Sequence, residues 1–139
     1  MLISREMDYA LRILRALSQS PCSAAVIAGQ EHITRSMALK VLNRLKKAGI
    51  VEAERGQDGG YRLCPDWEDL TLYDLFAALE DPLYLNRCQE PGYQCECRPH
   101  GCEFCAELGR VQAVLNQELQ RTKLGVLLHC ESSQKGEPA

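Results

Sequence analysis

Nothing in the 139-residue chain approaches the roughly eighteen uninterrupted apolar positions that a bilayer-spanning helix needs, which excludes such a helix and any membrane partner read from one. There is no glycine-rich cradle for a phosphate and no nucleophile set beside a base, so the usual marks of an enzyme are missing. Histidine is scarce, and His32, His100 and His129 form no ligand pattern; only His100, inside the cysteine-rich stretch, has even a minor claim. The first residues, Ser4-Arg5-Glu6, carry opposite charges before any apolar core of signal-peptide length, so the chain reads as cytoplasmic.

What is present is an ordinary globular balance, 45% apolar and 25% charged, in a length suited to one small domain with an appended dimerisation element. Eight cysteines are far more than such a domain needs. Five of them, Cys88, Cys95, Cys97, Cys102 and Cys105, fall within eighteen residues. In a reducing compartment such a cluster points to metal binding or redox chemistry rather than a disulfide framework. Cys22, Cys64 and Cys130 are scattered and read as small apolar residues or incidental thiols. The net charge of −3 hides a division: residues 1–64 hold ten Lys and Arg against six Asp and Glu, and residues 65–139 hold six against thirteen. A basic first half and an acidic second half allow nucleic-acid binding by the former alone.

Met7, Ala10, Leu11, Leu14 and Leu17 recur at helical spacing behind Ser4, which predicts a capped helix over 4–17. Ser23 caps a short helix ending near Gly29. Thr34 caps a third, whose apolar face is Ala38, Val41, Leu42 and Leu45 and whose other face carries Arg35, Ser36, Lys40, Asn43, Arg44 and Lys47. A short helix, a turn and a basic helix read as a helix-turn-helix. Two extended runs then flank Gly56, Gly59 and Gly60, a hairpin or wing, with Arg55, Gln57 and Arg62 as donors suited to a minor groove. Thr71 and Asp74 resemble a capping box for a helix over 72–80. Proline and glycine punctuate the aperiodic stretch that holds the cysteines, and Leu108, Val111, Leu115 and Leu119 mark a long amphipathic helix over 103–122 that calls for a dimer partner. The spacing of Cys95, Cys97, Cys102 and Cys105 by itself suits a tetrahedral zinc site.

The order of these parts carries a resemblance. Asp8-Tyr9-Ala10-Leu11-Arg12, the basic third helix, Arg55-Gly56-x-x-Gly59-Gly60-Tyr61, the mid-chain cysteines and a closing Leu124-Gly125-x-Leu127 resemble the Rrf-two family of winged-helix transcription regulators over residues 2–128. The resemblance implies a homodimer on double-stranded operator DNA, its third helix in the major groove and its wing in the minor groove. Thr34, Arg35, Ser36, Lys40 and Arg44 would then meet DNA from the helix, and Arg55 and Gln57 from the wing. Leu39 stands where one branch of the family reads a base with glutamate, so that branch's operator preference does not transfer. The resemblance also implies a 2Fe-2S or 4Fe-4S cluster on Cys88, Cys95 and Cys102, evenly spaced by seven. Cys105 falls where some members place a histidine ligand, and Asp8 where others supply a fourth ligand from the partner subunit; Cys97 is a spare thiol or a substitute for Cys95. Zinc or a thiol-disulfide switch stays open as the alternative. The expectation is thus a mainly α regulator, acting as a repressor. It has a winged helix-turn-helix at 1–80, a cysteine-rich loop at 81–105, a dimerisation helix and C-terminal segment at 106–130 and a disordered tail at 131–139.

Overall fold

The computed structural model describes residues 3–57, 59–79 and 83–134. Four helices open on residues whose side chains accept a backbone N–H left free at the helix start. Ser4 caps α1 (Arg5–Gln19), Ser23 caps α2 (Ala24–Glu31), Thr34 caps α3 (Arg35–Lys47), and Thr71 with Asp74 forms a reciprocal capping box on α4 (Leu72–Ala78). All four starts match the sequence reading. The end of α2 does not: the helix runs through Gly29 to Glu31 and stops at His32, whose φ of 54° is left-handed and whose N–H returns to the Ala28 carbonyl. Its imidazole points to solvent while its backbone performs the turn usually given to glycine.

The core lies where α1, α2 and α3 meet, covered by α4 and by the antiparallel pair β1 (Val51–Ala53) and β2 (Tyr61–Leu63), in register Val51 with Leu63 and Ala53 with Tyr61. Met7, Ile13, Leu14, Ile27, Val41, Leu42, Leu45 and Leu75 are fully buried, each stabilising the fold by about 1.5–3 kcal/mol. The buried face of α1 is turned from the one expected, because Ile13 is wholly enclosed and Leu11 only in part. The hairpin is tied back to the loop between α1 and α2: Tyr61 N–H donates to the Cys22 carbonyl at 2.9 Å and Cys22 N–H to that of Tyr61 at 3.1 Å.

This strap explains the wing glycines. Only Gly56, at φ 134°, uses a conformation other residues avoid. Gly60 is required by close approach, since a Cβ there would stand 2.8 Å from the Cys22 carbonyl oxygen. Gly60→Ala is therefore expected to lower folding stability by about 1–3 kcal/mol, read as a lower urea midpoint with unchanged slope.

Two helices follow the cysteine segment. α5 (Glu103–Arg121) packs against α4 with Gln112 as its one buried residue, and leaves Phe104 and Val114 uncovered. α6 (Leu124–Gln134), unforeseen as a helix, returns: Leu124 enters the core, its N–H donates to the Leu70 carbonyl, and Lys123 pairs with Asp69 at 2.7 Å. It extends through residues 131–134, which the sequence reading assigned to the tail; residues 135–139 lie outside the described residues.

Candidate functional site

α3 presents its first turn outward. Thr34, Arg35 and Ser36 are exposed, and Arg35 has no ion-pair partner among the described residues. The Thr34 hydroxyl accepts the Met37 N–H and lies 3.4 Å from the Ser36 hydroxyl, so part of its hydrogen-bonding capacity is used within the chain. At the wing, Arg55 and Gln57 are exposed, whereas Arg62 folds back onto Glu52 at 2.9 Å and Glu54 at 3.2 Å. Arg62 therefore braces the hairpin instead of serving as a tip donor.

Further along α3 the arrangement departs from expectation. Lys40 and Arg44 both pair with Glu6 at the start of α1, and Arg44 also donates to the Leu79 carbonyl at the end of α4. The hydrogen bonds from Lys40 and then Arg44 hold the Glu6 carboxyl below its ordinary range. Arg44 thus ties three helices together, while Lys40 stays more than half exposed although its ammonium is shared with Glu6, and Lys47 is exposed beyond them. Glu6 escaped the sequence reading because an acid in the first turn of a helix is already explained by the helix dipole; only the packing of α1 on α3 brings it to the basic face.

The cysteine segment has two 3-10 turns, Arg87–Gln89 and Arg98–His100, and Cys102 stands at the start of α5. The Cys88 thiol faces both Cys95 and Cys105. Cys95 is the centre of the group. The Cys97 backbone N–H points at its sulfur, with the Cys88 thiol and the Arg98 N–H adding to it, and these lower its pKa against the opposing effect of burial. Burial first, then Cys95 and Cys105, raise that of Cys88; the charge on Cys95 raises that of Cys97, which also senses Cys102. One thiol of the group ionises early and its neighbours late, as close like charges require.

The resemblance implies Cys88, Cys95 and Cys102 as a trio with Cys105 as a further candidate; in this structure Cys88 faces Cys95 and Cys105. Cys102 sits on the far side, beside Cys97. His100 is exposed in its turn and no described hydrogen bond of its ring reaches a thiol. Asp8 belongs elsewhere: it pairs with Arg12 at 2.9 Å and lines a cleft of about 480 Å³ with Leu72, Leu124 and Leu127, between α1, α4 and α6. No described interaction joins it to the thiols of its own chain. Cys22 and Cys64 are partly buried, and burial raises both thiols, consistent with inert apolar filling. The Cys130 side chain lies outside the described residues.

Among the described residues no three His, Cys, Asp or Glu side chains form a closed group for an ion. The donor set nevertheless fits a thiolate-bound centre in its chemistry. Soft sulfur ligands neighbour one another in pairs, Cys88 with Cys95 and Cys105 and Cys95 with Cys97, and one is already biased to ionise.

Gln112 was also missed. It is in phase with Leu108, Leu115 and Leu119, a polar residue in an apolar stripe, and that intrusion was the available signal. It accepts the Leu85 N–H at 2.8 Å and donates to the Leu83 carbonyl at 2.8 Å, so the start of the cysteine segment is seated on α5.

Comparison with known proteins agrees with this architecture. The model of the Rrf2 family, described as an iron-dependent transcriptional regulator, matches residues 3–130. Protein aau3 of Rhizobium meliloti is 30% identical over 95 residues, covering 66% of this chain and 62% of that protein. The HTH-type transcriptional regulator IscR of Vibrio campbellii is 32% identical over 74 residues, 53% of this chain and 44% of the relative. The matched part thus spans 62% of the length of one of these curated relatives and 44% of the other. Among solved structures, IscR of T. potens superposes with a TM-score of 0.74 at 20% identity, over 99% of this chain and 94% of that one. CymR, the global cysteine regulator of B. subtilis, gives 0.70 at 25% identity, over 93% and 97%.

Proposed function

The chain belongs to the Rrf2 family of transcriptional regulators, and we propose that it is a homodimeric repressor whose grip on operator DNA is set by an iron-sulfur cluster held in the cysteine segment. One observation carries the proposal: the cysteine segment brings the Cys88 thiol to face both Cys95 and Cys105, against a helix that leaves Phe104, Val111 and Val114 uncovered.

Arg35 and Ser36 at the start of α3 are the donors for base edges and phosphates in the major groove, with Lys40 beyond them. Arg55 and Gln57 serve the wing. Phe104, Val111 and Val114 on α5 supply the apolar face for a second copy. Cys88, Cys95 and Cys105 are three ligands. Cys102 completes the set from within the chain, Cys97 is the substitute for Cys95, and Asp8 is the alternative fourth ligand from the partner subunit. A bound cluster supplies a reversible redox and nitric-oxide-reactive centre, with thiolate ligation in place of imidazole lowering its potential. The rest is done by the chain: the cysteine segment, anchored to α5, sets where one winged domain lies relative to its twin. Two half-sites about one DNA turn apart make affinity sensitive to that setting.

The test is anaerobic purification, followed by iron, sulfide and zinc analysis and by gel-shift titration of promoter DNA with loaded and metal-free protein. Iron with equimolar sulfide, and an operator affinity that differs between the two forms, is the expected result. Zinc without sulfide would turn the reading into a zinc-stabilised regulator of the same fold, and metal-free protein that recognises its operator identically would refute control by a cluster.

A further inference from the structure

Resting on that reading, we propose that Gln112 and Gln89 are positioning residues that clamp the cysteine segment to α5 and so hold the Cys88 thiol against Cys105. Gln112 is 6% exposed in the middle of a helix with no other buried residue. Burying an amide there without partners would be costly, yet three of its hydrogen-bonding positions are filled at good length. Its Oε1 accepts the Leu85 N–H at 2.8 Å, and its Nε2 donates to the Leu83 carbonyl at 2.8 Å and to Asn116 Oδ1 at 3.0 Å. The carbonyl of one residue and the N–H two positions on are thus taken by one side chain, as a neighbouring strand would take them. Asn116, one helical turn away, fixes the orientation of the amide.

The second bond lies two turns toward the start of α5. Gln89, directly after Cys88, donates from Nε2 to the Cys105 carbonyl at 3.2 Å. It lies over Gly109, where a Cβ would stand 3.3 Å from Gln89 Oε1. The main chain is therefore fastened to α5 on both sides of Cys88, at Leu83 and Leu85 before it and at Gln89 after it. Neither glutamine touches a sulfur atom. Their effect is to remove the freedom of Cys88 to swing away from Cys105, in a stretch whose apolar packing on the core comes through Leu83, ahead of the thiols.

The experiment compares the full-length protein with its Gln112→Leu and Gln89→Ala variants. In metal-free protein, hydrogen exchange of the Leu85 amide is expected to rise roughly tenfold in Gln112→Leu. A short bifunctional thiol reagent is expected to join Cys88 to Cys105 about fivefold less in either variant, with the urea midpoint of the winged core unchanged. In loaded protein, iron release to a chelator is expected to quicken about tenfold, with a changed visible spectrum. Gln89→Ala, on a partly exposed side chain, provides the cross-linking answer should Gln112→Leu fold poorly. Leu85 exchange and cross-linking that match the parent would overturn the clamp. A parent that takes up no iron or sulfide would instead overturn the cluster reading, while the metal-free measurements still decide the clamp.

Discussion

Cys95→Ala is expected to leave anaerobically prepared protein without iron, sulfide or visible absorption, while the secondary structure stays that of the parent. Cys95 is the thiol that both Cys88 and Cys97 face and the one that the Cys97 and Arg98 N–H groups hold ready to ionise. Removing it takes away the ligand most biased to the thiolate form, and three or four converging thiolates are the minimum for a cluster. Cys97→Ala is expected to retain iron, because Cys97 is exposed and its ionisation is opposed by Cys95. Iron and sulfide determination on the two variants side by side checks the claim; loss in Cys97→Ala with retention in Cys95→Ala would exchange their roles. Asp8→Ala and Cys105→Ala then assign the fourth ligand. Because Asp8 stands in a cleft away from its own chain's thiols, a loss in Asp8→Ala would require a ligand crossing between subunits.

The double variant Arg35→Ala, Arg55→Ala is expected to bind operator DNA from about 30-fold to about 10⁴-fold more weakly, at about 1–3 kcal/mol for each contact, the two adding because they sit on separate elements. Both guanidinium groups are exposed and have no ion-pair partner among the described residues, so neither supports the fold. Arg44→Ala is the instructive contrast. Its guanidinium joins Glu6 and the Leu79 carbonyl, so its loss is expected to lower the urea midpoint. Titration by fluorescence anisotropy across a salt series, with thermal unfolding in parallel, separates the two effects. A shallower salt slope with unchanged stability marks a phosphate contact. An unaltered affinity in the double variant would place the DNA surface elsewhere.

The helix starts were legible because a cap is a local affair: Ser4, Ser23, Thr34 and the Thr71 and Asp74 pair each reach a backbone N–H within three residues. The hairpin was legible for a similar reason, since Gly56, Gly59 and Gly60 permit a turn conformation and close backbone approaches that a side chain would obstruct. The stop of α2 was not, because the turn was made by the backbone of His32, a residue with no strong turn preference, while Gly29 continued the helix. α6 was hidden by its composition: its apolar residues cover several sides, so no stripe announces it, and its docking depends on Leu70 and Asp69, more than fifty residues earlier.

By itself the sequence determined the family, the order of the elements as far as α5, the basic face of α3 and the set of thiols available for a metal. These follow from spacing and residue chemistry, which a chain carries before it folds. The tertiary structure alone decided which basic residues remain free for DNA and which thiols are neighbours. Both are matters of distance between segments remote along the chain: Glu6 pairs with Lys40 and Arg44 because α1 packs on α3, and the Cys88 thiol faces Cys105 across a segment that is hydrogen-bonded to α5.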